Sequence, residues 1–406
     1  MQKTSERIYW KKKSKIQKIY PYLTKDTSCD VIVIGGGISG ALTTYFLAKA
    51  GVNVVVLEKN IIGYGATISA PATLEYQSDI DMHKLEKLKD KKQAERIYRL
   101  SLEAIDIIEK IDNEFDKATG FKRQDAIYFT NKFMQKSNMA KEFKSRKEAG
   151  FDAALLDSHT VLNISSGILT KNASGVLNPY MFTQSLFEYL STFKNVRIYE
   201  NTSVISVIPK YSSVECKTNN DFKIIANSAI FTSGIDTLKF LNNISNVELY
   251  KTFSIVTKPI IDKEYLKDRN INFTARDSVE PYHYIRFDNN GRIIFSGENT
   301  KMTEKFMDGR FLNNVSNDKY KRLYSSMNKI FSNIDNMPVE YTYSSNFVNT
   351  KDNLPIIDEI PNMPNCFCNL GFGTNGIIYS AIGANMLKNA INGLYTKDMN
   401  MFKMYR

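Results

Sequence analysis

A run of apolar residues followed at once by glycines, near the start of the chain, constrains the fold most. Residues 30–34 are rich in β-branched side chains, which is typical of a parallel strand buried on both faces. Glycines follow at positions 35, 36 and 37, and residues 41–50 predict a helix that ends at Gly51. Residues 53–58 predict a second buried strand. The first 60 residues therefore predict a strand, helix, strand unit, which favours the α/β class.

The glycines and one acidic residue of this unit form a dinucleotide-binding pattern. Gly35, Gly37 and Gly40 fit GxGxxG between strand and helix, and Glu58 ends the second strand, 18 residues beyond Gly40. Backbone amides at the helix start would bind a pyrophosphate, and Glu58 would accept hydrogen bonds from a ribose diol. A 2′-phosphate about 4 Å from Glu58 would cost on the order of 4 kcal/mol, so the pattern favours FAD or NAD over NADP. The alternative is a glycine turn that only joins strand to helix.

The rest of the chain predicts further elements and excludes several classes of protein. An amphipathic helix is expected over residues 84–114, short strands over 195–232, an antiparallel sheet over 250–298 and a final helix over 377–392. With 43% hydrophobic and 24% charged residues, the composition excludes a disordered chain and a coiled-coil rod. Four scattered cysteines and three histidines argue against a disulfide framework and against a metal site, so no metal is expected.

Three further segments resemble the motifs of one flavoprotein family. Residues 65–69 read Gly-Ala-Thr-Ile-Ser, residues 352–357 read Asp-Asn-Leu-Pro-Ile-Ile, and residues 371–377 read Gly-Phe-Gly-Thr-Asn-Gly-Ile. Together with the GxGxxG pattern they resemble the D-amino-acid oxidase superfamily of FAD-dependent oxidoreductases, which includes glycine and sarcosine oxidases. The resemblance covers nearly the whole chain. The lead segment before the first strand, which contains Tyr9-Trp10, is similar to that of gamma-glutamylputrescine oxidase-like members.

The resemblance implies a Rossmann-like FAD-binding domain interleaved with a substrate domain built on a mixed or antiparallel sheet. It implies that residues 63–69, here called the early loop, and residues 371–377, here called the late turn, both contact FAD. Serines at positions 69 and 345 occupy the places where some members attach flavin covalently, so non-covalent FAD is expected. The cofactor-binding candidates are Gly35, Gly37, Ile38, Ser39, Gly40, Glu58, Lys59, Gly65, Ala66, Thr67, Ser69, Val204, Ser233, Gly234, Gly371, Gly373, Thr374, Asn375, Gly376 and Ile377.

Candidates for the substrate pocket come from two segments of the chain. The sequence from 281 to 292 resembles the strand and turn that cover the flavin in the family. Strand alternation would put three of its polar residues on one face, which could orient a polar substrate or could equally point to solvent. His283 is interpreted as a packed histidine, and no catalytic acid or base is assigned. The pocket candidates are Tyr282, Tyr284, Arg286, Tyr76 and Gln77.

The positions of the motifs predict two interleaved domains, because cofactor motifs occur early, midway and late in the chain. The FAD-binding domain is expected to comprise residues 1–85, 165–240 and 345–406. The substrate-binding domain is expected to comprise residues 86–164 and 241–344.

The favoured function is oxidation of the CH–NH bond of a small amine or amino acid, with a hydride passing from substrate carbon to flavin N5. Glycine oxidase-like members have an arginine before the Asp-x-Leu-Pro motif, and residues 346–349 contain none, which argues against an α-amino acid substrate. One alternative is an FAD-dependent dehydrogenase of the same superfamily that acts on a CH–OH substrate. Others are a catalytically silent flavin-binding protein and an NAD-dependent dehydrogenase.

The basic character of the chain is not taken as a sign of a nucleic-acid partner. The net charge of +11 comes from lysines spread along the chain, which is typical of a solvated surface. No apolar stretch approaches the roughly 20 residues that span a bilayer, so a cytoplasmic protein without a membrane span is expected. The electron acceptor and the oligomeric state stay open.

Overall fold

The structure is a computed structural model that describes residues 8–14, 18–115, 119–241, 246–260, 270–302, 309–331 and 337–406, with the backbone alone for 309–315. Its strands are β1 (Thr27–Ile34), β2 (Val54–Leu57), β3 (Thr73–Glu75), β4 (Lys122–Thr130), β5 (Ala153–Leu156), β6 (Ser166–Val176), β7 (Val196–Tyr199), β8 (Val204–Pro209), β9 (Val214–Thr218), β10 (Lys223–Phe231), β11 (Val247–Thr257), β12 (Phe273–Asp277), β13 (His283–Phe287), β14 (Ile293–Lys301), β15 (Val339–Thr350), β16 (Ile356–Glu359) and β17 (Cys366–Leu370).

Helices connect and cover these strands. In chain order they are α1 (Tyr9–Lys13), α2 (Ile38–Lys49), α3 (Met82–Leu88), α4 (Lys91–Asp112), α5 (Lys136–Glu148), α6 (Pro179–Leu190), α7 (Gly309–Ile330) and α8 (Gly376–Ile391). No helix in the described ranges is long and apolar enough to cross a membrane.

The first sheet has the strand order β16-β17-β10-β1-β2-β7, with β9 also paired to β10 and β8 paired to β9. β1 pairs in parallel with β10 and β2, and β10 pairs in parallel with β17. The predicted strand, helix, strand unit is confirmed as β1, α2 and β2. Because parallel strands end at the same edge of a sheet, the turns after β1, β2, β10 and β17 lie close together.

The second sheet has the strand order β15-β11-β14-β13-β12-β4-β6-β3, with β5 paired to β6. One of its faces is apolar and packs on α7 through residues such as Phe253, Ile285 and Phe295. Alternation puts polar residues on the opposite face, and these are buried as well. We call this the polar face, and its residues include Ser254, Thr274, Tyr284, Arg286, Ser296, Tyr343 and Ser345.

The prediction of one amphipathic helix over residues 84–114 is wrong. The chain forms α3 and α4 instead, and Asp90 lies between them as the N-cap of α4. Its Oδ1 accepts a hydrogen bond from the amide of Gln93 at 2.8 Å, which stabilises the start of α4 as a separate helix.

The predicted domain boundaries stay a prediction. The first sheet takes its strands from the early, middle and late parts of the chain. β3 and β6 lie in the second sheet, although their residues fall in ranges assigned to the FAD-binding domain. β15 lies in the second sheet as well and crosses the expected boundary at residue 345.

Candidate active site

The turn after β1 has two positions where only glycine fits. Gly35 has a φ of +117°, and a β-carbon there would lie 2.9 Å from the backbone of Ser233. A β-carbon at Gly40 would lie 2.0 Å from the carbonyl oxygen of Gly35. Because both side chains are absent, α2 begins directly against the end of β1, and Ser233 and Gly234 from the turn after β10 lie alongside.

The first amides of α2 provide an anion site. The amide of Ile38 donates to Oγ1 of Thr67 at 3.0 Å, which brings the early loop to the start of the helix. Among the described residues, no acceptor takes the amide hydrogens of Ser39 and Gly40. Unpaired amides at the positive end of a helix suit a pyrophosphate.

Glu58, at the end of β2, faces the glycine turn. Its Oε2 accepts from the amide of Gly36 at 2.7 Å, and its Oε1 accepts from the amide of Asn60 at 2.8 Å. Burial raises the pKa of Glu58, and the two amide donors lower it by less. Each carboxylate oxygen keeps a lone pair that could accept a bond from a hydroxyl group.

Two neighbours of Glu58 were also predicted to bind the cofactor. Lys59 forms an ion pair with Asp236, in the turn after β10. The amide of Thr202 donates to the carbonyl oxygen of Glu58 at 2.9 Å, so the start of β8 at Val204 lies next to the glycine turn. The structure therefore brings the predicted residues at the ends of β1, β2 and β10 to one edge of the first sheet, and Thr202, two residues before Val204, contacts Glu58 there.

The early loop is open on one side and packed on the other. Gly65 and Ala66 are exposed, and a β-carbon at Gly65 would have no atom within 4 Å. Thr67 and Ser69 are buried, and Oγ of Ser69 donates to Oγ of Ser345 at 2.9 Å. This contact joins the early loop to the polar face of the second sheet.

The late turn is held by the segment 77–79. The amide of Thr374 donates to Oδ2 of Asp79 at 3.0 Å, and the hydroxyl of Thr374 donates to Oδ1 of the same carboxylate. Nδ2 of Asn375 donates to the carbonyl oxygen of Gln77 at 2.7 Å. α8 begins at the next residue, so its positive end lies at this turn.

The late turn also contacts the second sheet, and the end of β17 just before it contacts α2. The hydroxyl of Tyr284 lies 2.8 Å from Oγ1 of Thr374, and the amide of Gly373 donates to the carbonyl oxygen of Val348 at 3.2 Å. Nδ2 of Asn369, at the end of β17, lies 3.5 Å from Oγ of Ser39. The early loop, the late turn and the polar face therefore surround one region of the molecule.

Two of the pocket candidates, Tyr76 and Gln77, are buried and bound to Arg146. The guanidinium donates from Nη1 to the hydroxyl of Tyr76 and from Nη2 to Oε1 of Gln77, both at 2.9 Å. Its Nε donates to Glu142 at 2.8 Å. Burial opposes ionisation of Glu142, but Arg146 and His83 lower the pKa of its carboxyl to about 2. Arg146 thus anchors the segment that holds the late turn.

A second buried arginine, Arg276 in β12, supports the same segment. Its Nη1 donates to the carbonyl oxygen of Ser78 at 2.8 Å, and its Nη2 donates to that of Asp79 at 3.0 Å. The guanidinium lies 4.5 Å from the ring centre of Tyr282 and 5.6 Å from that of Tyr284. Tyr284 therefore lies between Arg276 and Thr374 of the late turn, and Tyr282 lies against the guanidinium.

Arg286 lies on the polar face but is bound to backbone. Its Nη1 donates to the carbonyl oxygens of Ala72 at 2.6 Å and Leu177 at 2.9 Å, and its guanidinium lies 5.2 Å from the ring centre of Trp10. His283 points to the other face, where Nδ1 lies 2.6 Å from Asp277. These contacts are structural for both side chains.

Comparison with known proteins identifies the family. The sequence pattern of FAD dependent oxidoreductases (DAO) matches residues 30–390. The chain belongs to this family. The probable oxidoreductase OrdL of Haemophilus influenzae is 24% identical over 92% of this chain and 85% of its own. The gamma-glutamylputrescine oxidoreductase of Escherichia coli is 21% identical over 91% and 85%. The crystal structure of glycine oxidase from Geobacillus kaustophilus superposes with a TM-score of 0.77 at 18% identity, covering 93% of this chain and 99% of that one.

Family membership confirms the predicted fold class and decides between the two candidate cofactors. The protein is an FAD-dependent oxidoreductase, which removes NAD as the alternative. The site fits FAD on its own features, because the unpaired amides of Ser39 and Gly40 suit the diphosphate and Glu58 suits a ribose. The open side of the early loop at Gly65 leaves room for the ribityl group of FAD, which links the diphosphate to the flavin ring.

Residues that sequence reasoning missed lie along β11 and β15. The rings of Tyr250 and Phe347 stack at 5.6 Å, and both are half-buried. Phe347 lies two residues beyond Ser345 on the polar face and one residue before Val348, which bonds to the late turn. No local pattern marks these two aromatic residues, although their alternation with Ser345 was visible once β15 was assigned.

Proposed function

We propose that this protein oxidises the CH–NH bond of a small amine, with FAD bound non-covalently. The observation that carries the proposal is the closure of the polar face over the FAD motifs. Ser345 bonds to Ser69 of the early loop at 2.9 Å, and Tyr284 bonds to Thr374 of the late turn at 2.8 Å. A ring system held between these contacts would lie against the polar face, where a substrate can be covered and kept from water.

The residues proposed to contact the substrate are Tyr250, Phe347, Tyr282 and Tyr284. Tyr250 and Phe347 offer half-buried aromatic surface beside both FAD motifs, and the two tyrosines of the β13 segment offer hydroxyl groups. When bound, FAD supplies the two-electron acceptor of the reaction. The side chains of the pocket then have to orient the carbon that loses a hydride and exclude water, and no protein nucleophile is needed.

An amine is favoured over an α-amino acid because, within the described part of the chain, no arginine near the polar face is placed to bind a carboxylate. Residues 346–349 contain none, and the nearby guanidinium groups of Arg276 and Arg286 are bound to backbone carbonyl oxygens. The names of two similar proteins, gamma-glutamylputrescine oxidoreductase and glycine oxidase, support a substrate with a CH–NH bond.

The test mixes the purified holoenzyme with a panel of small molecules in the absence of oxygen. Reduction of the flavin is measured as the loss of the visible absorbance of its oxidised form. We expect bleaching by primary or secondary amines, and weaker or no bleaching by the α-amino acids of the same chain length. Bleaching by 2-hydroxy acids or glycerol 3-phosphate, and by no amine, would contradict the proposal and favour a CH–OH substrate. No bleaching by any compound would favour a catalytically silent flavoprotein.

A further inference from the structure

The turn that follows the early loop contains a strained residue. Ala72 has a φ of +59°, a left-handed conformation that residues with a β-carbon disfavour. It lies three residues after Ser69, which bonds to Ser345 on the polar face. A residue in this conformation persists only where its surroundings hold it.

Two side chains from distant parts of the chain hold this turn. Nη1 of Arg286 donates to the carbonyl oxygens of Ala72 at 2.6 Å and Pro71 at 3.3 Å. Nε1 of Trp10 donates to the carbonyl oxygen of Ala70 at 2.8 Å. The guanidinium of Arg286 lies 5.2 Å from the ring centre of Trp10, so the two side chains also contact one another.

The lead segment is itself fixed to the second sheet. The hydroxyl of Tyr9 donates to Asp288, in the turn after β13, and the ring of Tyr9 lies edge-on to that of Tyr341 at 5.4 Å. Tyr9 and Trp10 are both buried. The contacts of Tyr9 therefore fix Trp10 beside β13 and β15, the strands that also contain Arg286 and Ser345.

Arg286 has no other evident task in the described part of the chain. No carboxylate of the described residues forms an ion pair with it, and burial lowers the pKa of its guanidinium to about 10, which leaves it charged at neutral pH. Burying a cation without an anion costs free energy. The burial of Arg286, with hydrogen bonds to three carbonyl oxygens only, therefore calls for a structural reason. Holding the turn after the early loop supplies one.

We propose that Trp10 and Arg286 act together as a clamp that holds Ala72 in its left-handed conformation and thereby fixes the early loop for FAD. Both are positioning residues that act through the backbone of residues 70–72. The clamp gives the lead segment a role in cofactor binding, and it rests on the proposed function only in requiring non-covalent FAD.

The test measures the dissociation constant of FAD, by flavin fluorescence, and the melting temperature of the apoprotein. We expect Arg286→Met and Trp10→Leu each to weaken FAD binding about fivefold or more, the factor expected when the left-handed residue must be held without the clamp. Ala72→Gly should restore most of the affinity in either background, because glycine adopts a positive φ without support. A role limited to packing would lower the melting temperature without this rescue.

Arg99→Met is the matched control. Arg99 also donates to a backbone carbonyl oxygen, that of Ala149, and lies 5.2 Å from the ring centre of Phe151, away from the early loop. Its replacement should leave FAD affinity unchanged. If Arg286→Met does not fold, Trp10→Leu with and without Ala72→Gly carries the test.

Unchanged FAD affinity in the clamp variants, or the absence of rescue by Ala72→Gly, would overturn the clamp and leave the proposed function intact. Failure of the natural chain to bind FAD, or to be reduced by any amine, would instead count against the proposed function.

Discussion

Single atoms decide whether the glycine turn can form. A methyl group at Gly40 would lie 2.0 Å from the carbonyl oxygen of Gly35, and backbone at this distance cannot move aside without separating α2 from β1. We expect Gly40→Ala to weaken FAD binding more than tenfold, because the amides of Ser39 and Gly40 would no longer face one anion. Titration of the apoprotein with FAD measures the effect.

Gly175→Ala is the control for this substitution. A β-carbon at Gly175, in β6, would meet its nearest atom, on Phe121, at 3.4 Å, which is ordinary contact. FAD affinity should be unchanged in this variant. Equal affinity of the Gly40→Ala protein and the natural chain would show that the turn is not the diphosphate site.

A second prediction at this scale concerns Glu75. Burial raises the pKa of its carboxyl from 4.5 to about 7, against a smaller lowering by Arg276. An acid with a raised pKa in the folded state binds more protons when folded, so its ionisation destabilises the protein as the pH rises from about 4.5 to above 7. Glu75→Gln removes this effect and should be more stable than the natural chain at pH 8 by up to roughly 3 kcal/mol, with a smaller gain near pH 5.

Denaturant unfolding of both apoproteins at the two pH values measures this difference. Glu340→Gln is the control, because Arg292 lowers the pKa of Glu340 below its ordinary value of 4.5. That carboxyl is therefore largely ionised in the folded and unfolded states at both pH values, and the stability change on its replacement should differ little between them. A stability difference between the Glu75→Gln variant and the natural chain that does not change with pH would contradict the assignment.

At the scale of elements, the break between α3 and α4 shows that apolar periodicity does not reveal where one helix ends and the next begins. Apolar residues recur at helical spacing on both sides of Asp90, so the spacing alone predicts one helix. The pair Asp90 and Gln93 has the spacing of an N-terminal cap, and this signal was present in the sequence. The cap formed by Asp90 therefore separates two helices that the apolar periodicity alone would join.

Asp90→Ala should cost about 1 kcal/mol of unfolding free energy, because the amide of Gln93 loses its acceptor at the start of α4. Denaturant unfolding of the apoprotein measures the loss. Lys92→Ala, an exposed replacement in the same turn, should change stability little. FAD affinity should be unaffected in both variants, and an equal cost for the two would argue that Asp90 does not act as a cap.

At the scale of the whole molecule, local motifs could be predicted from the sequence, whereas contacts between distant segments required the structure. The glycine turn and Glu58 were predictable because backbone geometry and cofactor chemistry require particular residues at fixed local spacing. The early loop and the late turn were predicted only through their resemblance to a family, and their contact with FAD stays a prediction. The contacts of Arg146 with Tyr76, of Arg276 with Ser78 and of Arg286 with Ala72 could not be predicted, since each joins segments that are distant in the sequence.

Contacts between distant segments bear on the pocket candidates, whose role in the pocket stays a prediction. Tyr76 and Gln77 lie shortly after the early loop in the sequence, which makes them candidates for the pocket, but Arg146 from α5 binds both of them. Conversely, Tyr250 and Phe347 come together only because β11 and β15 pair in the second sheet. Contacts between segments, rather than local pattern, decide which side chains remain available to a substrate.

A crystal structure of the FAD complex would show directly where the cofactor lies. We expect the diphosphate to lie against the amides of Ser39 and Gly40, and the flavin ring to lie between the early loop, the late turn and the polar face near Phe347. A ring that binds elsewhere, or a diphosphate away from the start of α2, would contradict this expectation.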